Sequence, residues 1–187
     1  MNDFLNQKNI SYKNTSIKKS DKIFKYFINS NNYNFILETR EILNNSSISQ
    51  THNIIEVLDE KNADIIIELK PRHELIKMYN DKEYYPNTKK QIWFSFTQYG
   101  TKPIRIYIDD TNWIHGVEES GLSHSEYKKY VIQHEFMHAI GYDHQECNEN
   151  TATNGICPIM YQATRGCPEG FKCGYNITKV DYNKRLY

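Results

Sequence analysis

The sequence has no long apolar run, no excess of either charge and no cysteine in its first three quarters. No apolar stretch approaches the roughly 20 residues that a transmembrane helix needs, so we expect no membrane span. The 23 basic and 23 acidic residues are scattered and cancel, which argues against nucleic acid or an anionic membrane surface as a partner. The start, MNDFLNQKNISYKN, has no apolar signal core. We therefore expect either a protein that is not exported by that route or a leader outside this sequence.

The length and the distribution of polar residues favour one folded domain. A chain of 187 residues is typical of a single domain and can bury a real core. Residues 1–20 are polar and rich in Asn, Lys and Ser, which predicts a flexible N-terminal arm. Residues 21–187 are predicted to form the domain.

Apolar patterning predicts an α+β fold with four or five strands and two main helices. Residues 34–43 carry apolar side chains at helical spacing, and we expect a helix there. Residues 72–90 are polar and rich in Tyr, which predicts a loop. The strands are predicted from β-branched and aromatic runs, namely KIFKYFI from Lys22 and residues 53–58, 64–69, 91–97 and 104–108.

A second helix is predicted from its two ends. Ser123 and Glu126 have the spacing of a capping box at a helix start. Gly141 is a residue that ends helices, because it accepts a left-handed conformation. Apolar residues between these ends occupy two faces, which indicates a largely buried helix.

This helix carries the motif H-E-x-x-H, formed by His134, Glu135 and His138. Residues four apart on a helix lie one turn apart on the same face, so the two imidazoles can bind one Zn²⁺ ion. Glu135 lies beside the first ligand, where it can take a proton from water and later return it to a leaving amine. The pattern predicts two metal ligands and a general base.

The motif continues as H-E-x-x-H-x-x-G-x-x-H, with Gly141 and a third histidine, His144. A third ligand at that offset requires the chain to leave the helix and turn back, which the glycine allows. Three neutral imidazoles leave one coordination position for water, the arrangement of a catalytic zinc site. The sequence predicts Zn²⁺ held by these three histidines.

Residues 134–144 resemble the zinc-binding signature of the metzincin metallopeptidases. That clan has a methionine turn beneath the metal, and Cys157-Pro-Ile-Met160-Tyr161 matches it. The resemblance implies a zincin fold with a twisted mixed sheet and two main helices, whose cleft cuts peptide bonds. In some metzincins a tyrosine two residues after the methionine contacts the metal or the transition state. Tyr161 stands one residue earlier, so both that role and a packed aromatic are open.

A closer resemblance, over residues 104–168, is to a group of bacterial secreted metzincin-like domains of uncharacterised function. The residues that carry it, besides the zinc signature, lie before and after that motif: Asp110-Thr111-Asn112-Trp113, Tyr127, Cys147, Gln162, Thr164 and Gly166-Cys167.

All four cysteines lie in the last quarter of the chain, in a region rich in Gly and Pro. An even, clustered set without C-x-x-C spacing favours two disulfides and an extracellular or other oxidising compartment, with a second zinc site as the alternative. Spacing leaves three pairings open. The resemblance implies Cys147 with Cys167, which leaves Cys157 with Cys173.

The sequence thus predicts a monomeric zinc metalloendopeptidase that acts on a protein or peptide. A loop-rich, disulfide-linked C-terminal subdomain is expected after the helix. The alternative is an inactive zinc-bearing binding or structural module, against which the intact Glu135 argues.

Overall fold

The fold is mixed α/β, built on one five-stranded sheet. A computed structural model describes residues 21–80 and 95–175 of the chain. The predicted N-terminal arm, residues 1–20, lies outside the described residues. The strands are β1 (Ile23–Asn29), β2 (Asn53–Glu56), β3 (Ile65–Lys70), β4 (Phe96–Gln98) and β5 (Ile104–Asp109). Their order in the sheet is β2-β1-β3-β5-β4, with β4 alone antiparallel to its neighbour.

Five helices accompany the sheet in the part of the chain that the structure describes. The helices are α1 (Tyr33–Asn44), α2 (Ser47–Thr51), α3 (Arg72–Asn80), α4 (Asp110–His115) and α5 (His124–Ala139). The two longest, α1 and α5, pack against each other, and α5 also packs on the sheet. The mixed sheet and the two main helices agree with the sequence prediction.

One face of the sheet forms the core with α1 and α5. Alternate residues of β1, β3 and β5 point to this face, as the period of a strand requires, and are nearly all isoleucine or aromatic. The ring of Tyr26 on β1 meets Phe136 on α5 edge to face, with 5.9 Å between centroids. Burial raises the pKa of the Tyr26 hydroxyl to about 12. These contacts hold α5 against the centre of the sheet.

Helix α5 begins and ends as its sequence predicts. Ser123 and Glu126 form a reciprocal capping box at its start. At its end the amide of Gly141 donates to the carbonyl of His138, and the amide of Tyr142 donates to that of Met137. This pair of bonds is a Schellman motif, which needs the positive φ of 104° that Gly141 adopts. The chain therefore turns back sharply after the helix.

The sequence predicts a loop over residues 72–90, and this prediction is wrong for the first half of that range. Helix α3 occupies Arg72–Asn80, and residues 81–90 lie outside the described residues. The backbone carbonyl of Pro71 accepts from the amides of Glu74 and Leu75 and so begins the helix. Leu75 is fully buried and anchors it. A short helix with so few apolar residues gives little periodic signal.

The strand predicted over residues 91–97 is shorter and shifted, since β4 spans Phe96–Gln98 and residues 91–94 lie outside the described residues. No helix in the described residues is long and apolar enough to cross a membrane.

Candidate metal centre

Three imidazoles meet at the end of α5. His134 and His138 lie one turn apart on the helix, and His144 follows the turn made by Gly141. Their Nε2 atoms are 3.2 Å apart between His134 and His138, 3.0 Å between His138 and His144, and 3.3 Å between His134 and His144. The structure thus brings together all three histidines that the sequence predicts as ligands.

Backbone carbonyls determine which nitrogen of each helical histidine carries the proton. His134 Nδ1 lies 2.7 Å from the carbonyl oxygen of Ile159, and His138 Nδ1 lies 2.7 Å from that of Tyr142. A carbonyl only accepts, so each Nδ1 is the protonated nitrogen. Each Nε2 then presents a lone pair to the common centre. This outer bond is the usual means by which a protein orients a metal-binding imidazole.

The site keeps its imidazoles neutral. Burial, and next the neighbouring His138 and His144, hold the pKa of His134 well below its usual range. Burial and then His144 lower the pKa of His138 to about 4. Partial burial also lowers the pKa of His144. Neutral imidazole is the form that binds a metal ion.

The three nitrogen atoms fit one metal ion. Tetrahedral zinc, with Zn–N bonds of about 2.0–2.1 Å, separates its ligand nitrogens by about 3.3 Å. The observed separations of 3.0–3.3 Å match that value. Two facing lone pairs at such distances repel each other unless a cation lies between them. The cluster of His134, His138 and His144 could therefore hold a metal ion.

The segment around Met160 holds the loop that carries His144. The carbonyl of Met160 accepts from the amide of Gln145, at 3.0 Å. Met160 is fully buried in the core, and the amide of Tyr161 closes a turn on the carbonyl of Pro158. One short turn thus supports the loop through Met160 and the imidazole of His134 through the Ile159 carbonyl.

The cysteines form two disulfides, but the predicted pairing is wrong. Cys147 pairs with Cys157, and Cys167 pairs with Cys173, whereas Cys147 with Cys167 and Cys157 with Cys173 were expected. Two disulfides suggest an oxidising compartment. The four cysteines accordingly leave no second zinc site among them.

Tight turns accompany the pairing of Cys147 with Cys157. Thr153 and Ile156 exchange backbone hydrogen bonds across Asn154-Gly155, where φ is 52° and 73°. Both central residues have positive φ, as a type I′ turn requires, and Asn-Gly is its preferred sequence. A second turn, in which the amides of Thr151 and Ala152 donate to the carbonyl of Asn148, also lies between Cys147 and Cys157, and with both turns in place the two cysteines are bonded. The Asn-Gly pair in the sequence indicates this turn type, but it does not by itself choose among the three possible pairings.

Glu135 is buried beside the three histidines, with only 6% of its surface exposed. Its Oε2 lies 2.8 Å from the hydroxyl of Thr97, which belongs to β4. Burial raises the pKa of the Glu135 carboxyl to about 7, against the lowering effect of Thr97. The site therefore contains a carboxyl group that can both take and give a proton near neutral pH. Thr97 had no local signal in the sequence, because it lies on another element.

Tyr130 is a second residue that the sequence analysis missed. Its ring lies 5.0 Å from that of His134 between centroids, one helical turn before it. The buried hydroxyl donates to the carbonyl of Tyr161 and accepts from the amide of Ala163, each at 3.0 Å. Tyr130 thus links the first ligand to the chain beyond the methionine turn. The spacing of four residues from His134 was the available signal.

The hydroxyl of Tyr161 lies 3.2 Å from the carbonyl of Gly166, to which it donates. Its contact with a metal or a transition state stays a prediction. Of the remaining histidines, His52 is buried, with its ring nitrogens near the hydroxyls of Thr51 and Tyr142. His52 is therefore a locally bonded core residue.

Comparison with known proteins identifies a family without assigning an activity. No curated protein matches the chain significantly. A family model described as "Protein of unknown function (DUF3152)" matches residues 44–180. That range is more than half of the chain and includes all three histidines, Glu135 and the four cysteines. The chain therefore belongs to the DUF3152 family.

Proposed function

We propose that this protein is a zinc-dependent metalloendopeptidase of metzincin type. The observation that carries the proposal is the meeting of three imidazole Nε2 atoms, 3.0–3.3 Å apart, next to the buried carboxyl of Glu135. Burying an acid beside three neutral ligands costs free energy. Such costly groups cluster at functional sites, which supports a chemical role for Glu135. Met160, directly after the Ile159 carbonyl that orients His134, corresponds to the methionine of the metzincin resemblance.

Zinc is the metal that best suits these ligands. Three imidazoles without a thiolate or a carboxylate form a set common for zinc, and three protein ligands leave a position open. When bound there, zinc would polarise a water molecule and the substrate carbonyl. His134 and His138 are already oriented for it by the Ile159 and Tyr142 carbonyls.

Glu135 supplies the proton transfers in this proposal. Its carboxylate takes a proton from the attacking water and later gives that proton to the amine that leaves. A pKa of about 7, raised by burial, suits both steps, because the group then changes protonation readily near neutral pH.

The sheet supports a peptide as the substrate. Strand β4 stands at the end of the strand order and is antiparallel to β5. An extended peptide can add to such an edge through backbone hydrogen bonds. Thr97 on this strand contacts Glu135, and the ring of Tyr99 just after it lies 6.3 Å from His138 between centroids. A peptide along β4 would thus pass beside the metal centre. We also propose a monomer in an extracellular or other oxidising compartment; the two disulfides support the compartment.

A digestion experiment tests the proposal. The purified protein, loaded with one equivalent of Zn²⁺, is incubated with a peptide library, and products are identified by mass spectrometry. We expect internal cleavage that stops with a chelator and returns when zinc is added. Full zinc occupancy without any cleavage would contradict the proposal and favour a zinc-bearing binding module.

A further inference from the structure

Thr97 is placed to control the carboxyl group of Glu135. It is the central residue of β4 and is 8% exposed. Its hydroxyl oxygen lies 2.8 Å from Glu135 Oε2 and 2.9 Å from the backbone carbonyl of Glu135. The strand is held in turn by its register with β5, in which Thr97 lies opposite Ile106. The hydroxyl is therefore fixed by the sheet and not by the helix that carries the acid.

The hydroxyl has one proton to donate, and the charged carboxylate is the stronger acceptor. Thr97 therefore holds Oε2 of Glu135. Among the described residues no hydrogen-bond donor reaches the other oxygen, Oε1. The two oxygens of one carboxyl group thus have different surroundings.

We propose that Thr97 is a positioning residue for Glu135, and that Oε1 is the oxygen which exchanges the proton. This inference rests on the proposed peptidase function. In the first step an O–H bond of water breaks, a bond forms between Oε1 and the proton, and the water oxygen adds to the peptide carbonyl carbon. In the second step the C–N bond breaks, and the proton passes from Oε1 to the departing nitrogen. Oε2 keeps its bond to Thr97 throughout.

Three single variants test the role of the hydroxyl. Thr97→Val removes it at nearly constant shape, and Thr97→Ser keeps it. Thr39→Val is the matched control, because Thr39 is also a buried threonine and its hydroxyl has no partner among the described residues. Each variant is loaded with Zn²⁺ and assayed on the best peptide from the library digest.

We expect Thr97→Val to lower kcat about 10- to 100-fold, a part of the 10²–10⁴-fold effect typical of a general base. KM should change less than about twofold, and zinc should stay at one per chain, since substrate and metal contacts remain. Thr97→Ser should restore kcat to within about threefold of the parent, and Thr39→Val should match the parent. A Thr97→Val enzyme with the parent's kcat and full zinc would overturn the inference.

A second measurement does not depend on activity. Crystal structures of the zinc-loaded parent and of Thr97→Val should differ in the rotation of the Glu135 carboxyl group, while the three histidines superpose. An unchanged carboxyl position in the variant would overturn the inference. If the parent cuts no peptide, the proposed function fails, and this structural comparison still decides whether Thr97 positions Glu135.

Discussion

The three histidines are held in two different ways. His134 and His138 are 4% and 6% exposed, belong to a regular helix, and donate through Nδ1 to backbone carbonyls. His144 is exposed and lies in a loop, where Gln145 bonds to the Met160 carbonyl and Cys147 is bridged to Cys157. The helix thus sets the positions of His134 and His138, although the Ile159 carbonyl that orients His134 belongs to a distant segment. The loop ligand is fixed by contacts with a distant part of the chain.

The comparison shows that one metal site can combine two halves. The rigid half is carried by helix α5, and the other half is carried by the loop that contains His144. The helical spacing alone gives His134 and His138 their separation. His144 reaches the same point only because the Schellman turn reverses the chain and the neighbouring loop is tied down. Loss of a ligand in either half should weaken metal binding, whereas changes in the rigid half should in addition affect proton transfer or folding.

The largest effect is expected from a change in the rigid half that leaves metal binding intact. Glu135→Gln should lower kcat by about 10²–10⁴-fold, because the amide cannot take the proton from water. Zinc content should stay at one per chain, since the three imidazoles are unchanged. Peptide hydrolysis and elemental analysis on the same sample check both points. A variant that cuts peptides at the parent's rate would exclude Glu135 as the base.

Single alanine variants of a helix ligand and of the loop ligand compare the two halves directly. His138→Ala and His144→Ala should each weaken zinc binding at least about 100-fold, more than the loss of an outer partner usually costs. In the metal-free protein only His138→Ala should lower the free energy of unfolding, by about 1–3 kcal/mol. The reason is the buried Tyr142 carbonyl, which loses its donor.

Competition with a chromophoric chelator measures the affinities, and urea unfolding measures the stabilities. Equal losses of stability in the two variants would contradict the division between a rigid half and a loop half.

Two disulfide variants test what holds the loop half. Cys147→Ser with Cys157→Ser should weaken zinc binding about tenfold, because the loop that carries His144 loses its bridge, an effect like that of an outer ligand partner. The control, Cys167→Ser with Cys173→Ser, removes a bridge farther from His144 along the chain and should change affinity less than about twofold. Each double variant should lose about 2–3 kcal/mol of stability.

Isothermal titration with Zn²⁺ separates the two double variants. Equal affinities would mean that the backbone bond from Gln145 to Met160 is sufficient to hold the loop.

The smallest loss of stability is expected at Tyr130. Tyr130→Phe keeps the ring against His134 but removes the hydroxyl that bridges the Tyr161 carbonyl and the Ala163 amide. The Ala163 amide also donates to the Tyr161 carbonyl, so both groups keep a partner, and loss of the hydroxyl should lower the free energy of unfolding by about 0.5–1.5 kcal/mol. Zinc affinity should change less than about threefold, since Ile159 still orients His134. Thermal unfolding and zinc titration check the two values, and a large loss of affinity would place Tyr130 in the metal centre.

Local patterns predicted most strands of the sheet and helix α5, which carries His134, Glu135 and His138. Residues 53–58, 64–69 and 104–108 contain strands because their apolar runs are dense. The short helix α3 was missed because its burial depends on one leucine, whose position against the sheet no local pattern reveals. The disulfide pairing was missed because it depends on where two turns direct the chain.

The sequence by itself was enough to predict that the three histidines meet beside Glu135, and it predicted both ends of α5. These features depend on spacing within about 20 residues, which helical geometry converts directly into position. Only the tertiary structure decided that the Ile159 carbonyl orients His134, that Thr97 holds one oxygen of Glu135, and that Cys147 meets Cys157. Each of these contacts joins elements whose relative placement is set by packing of the whole core, so no local pattern encodes it.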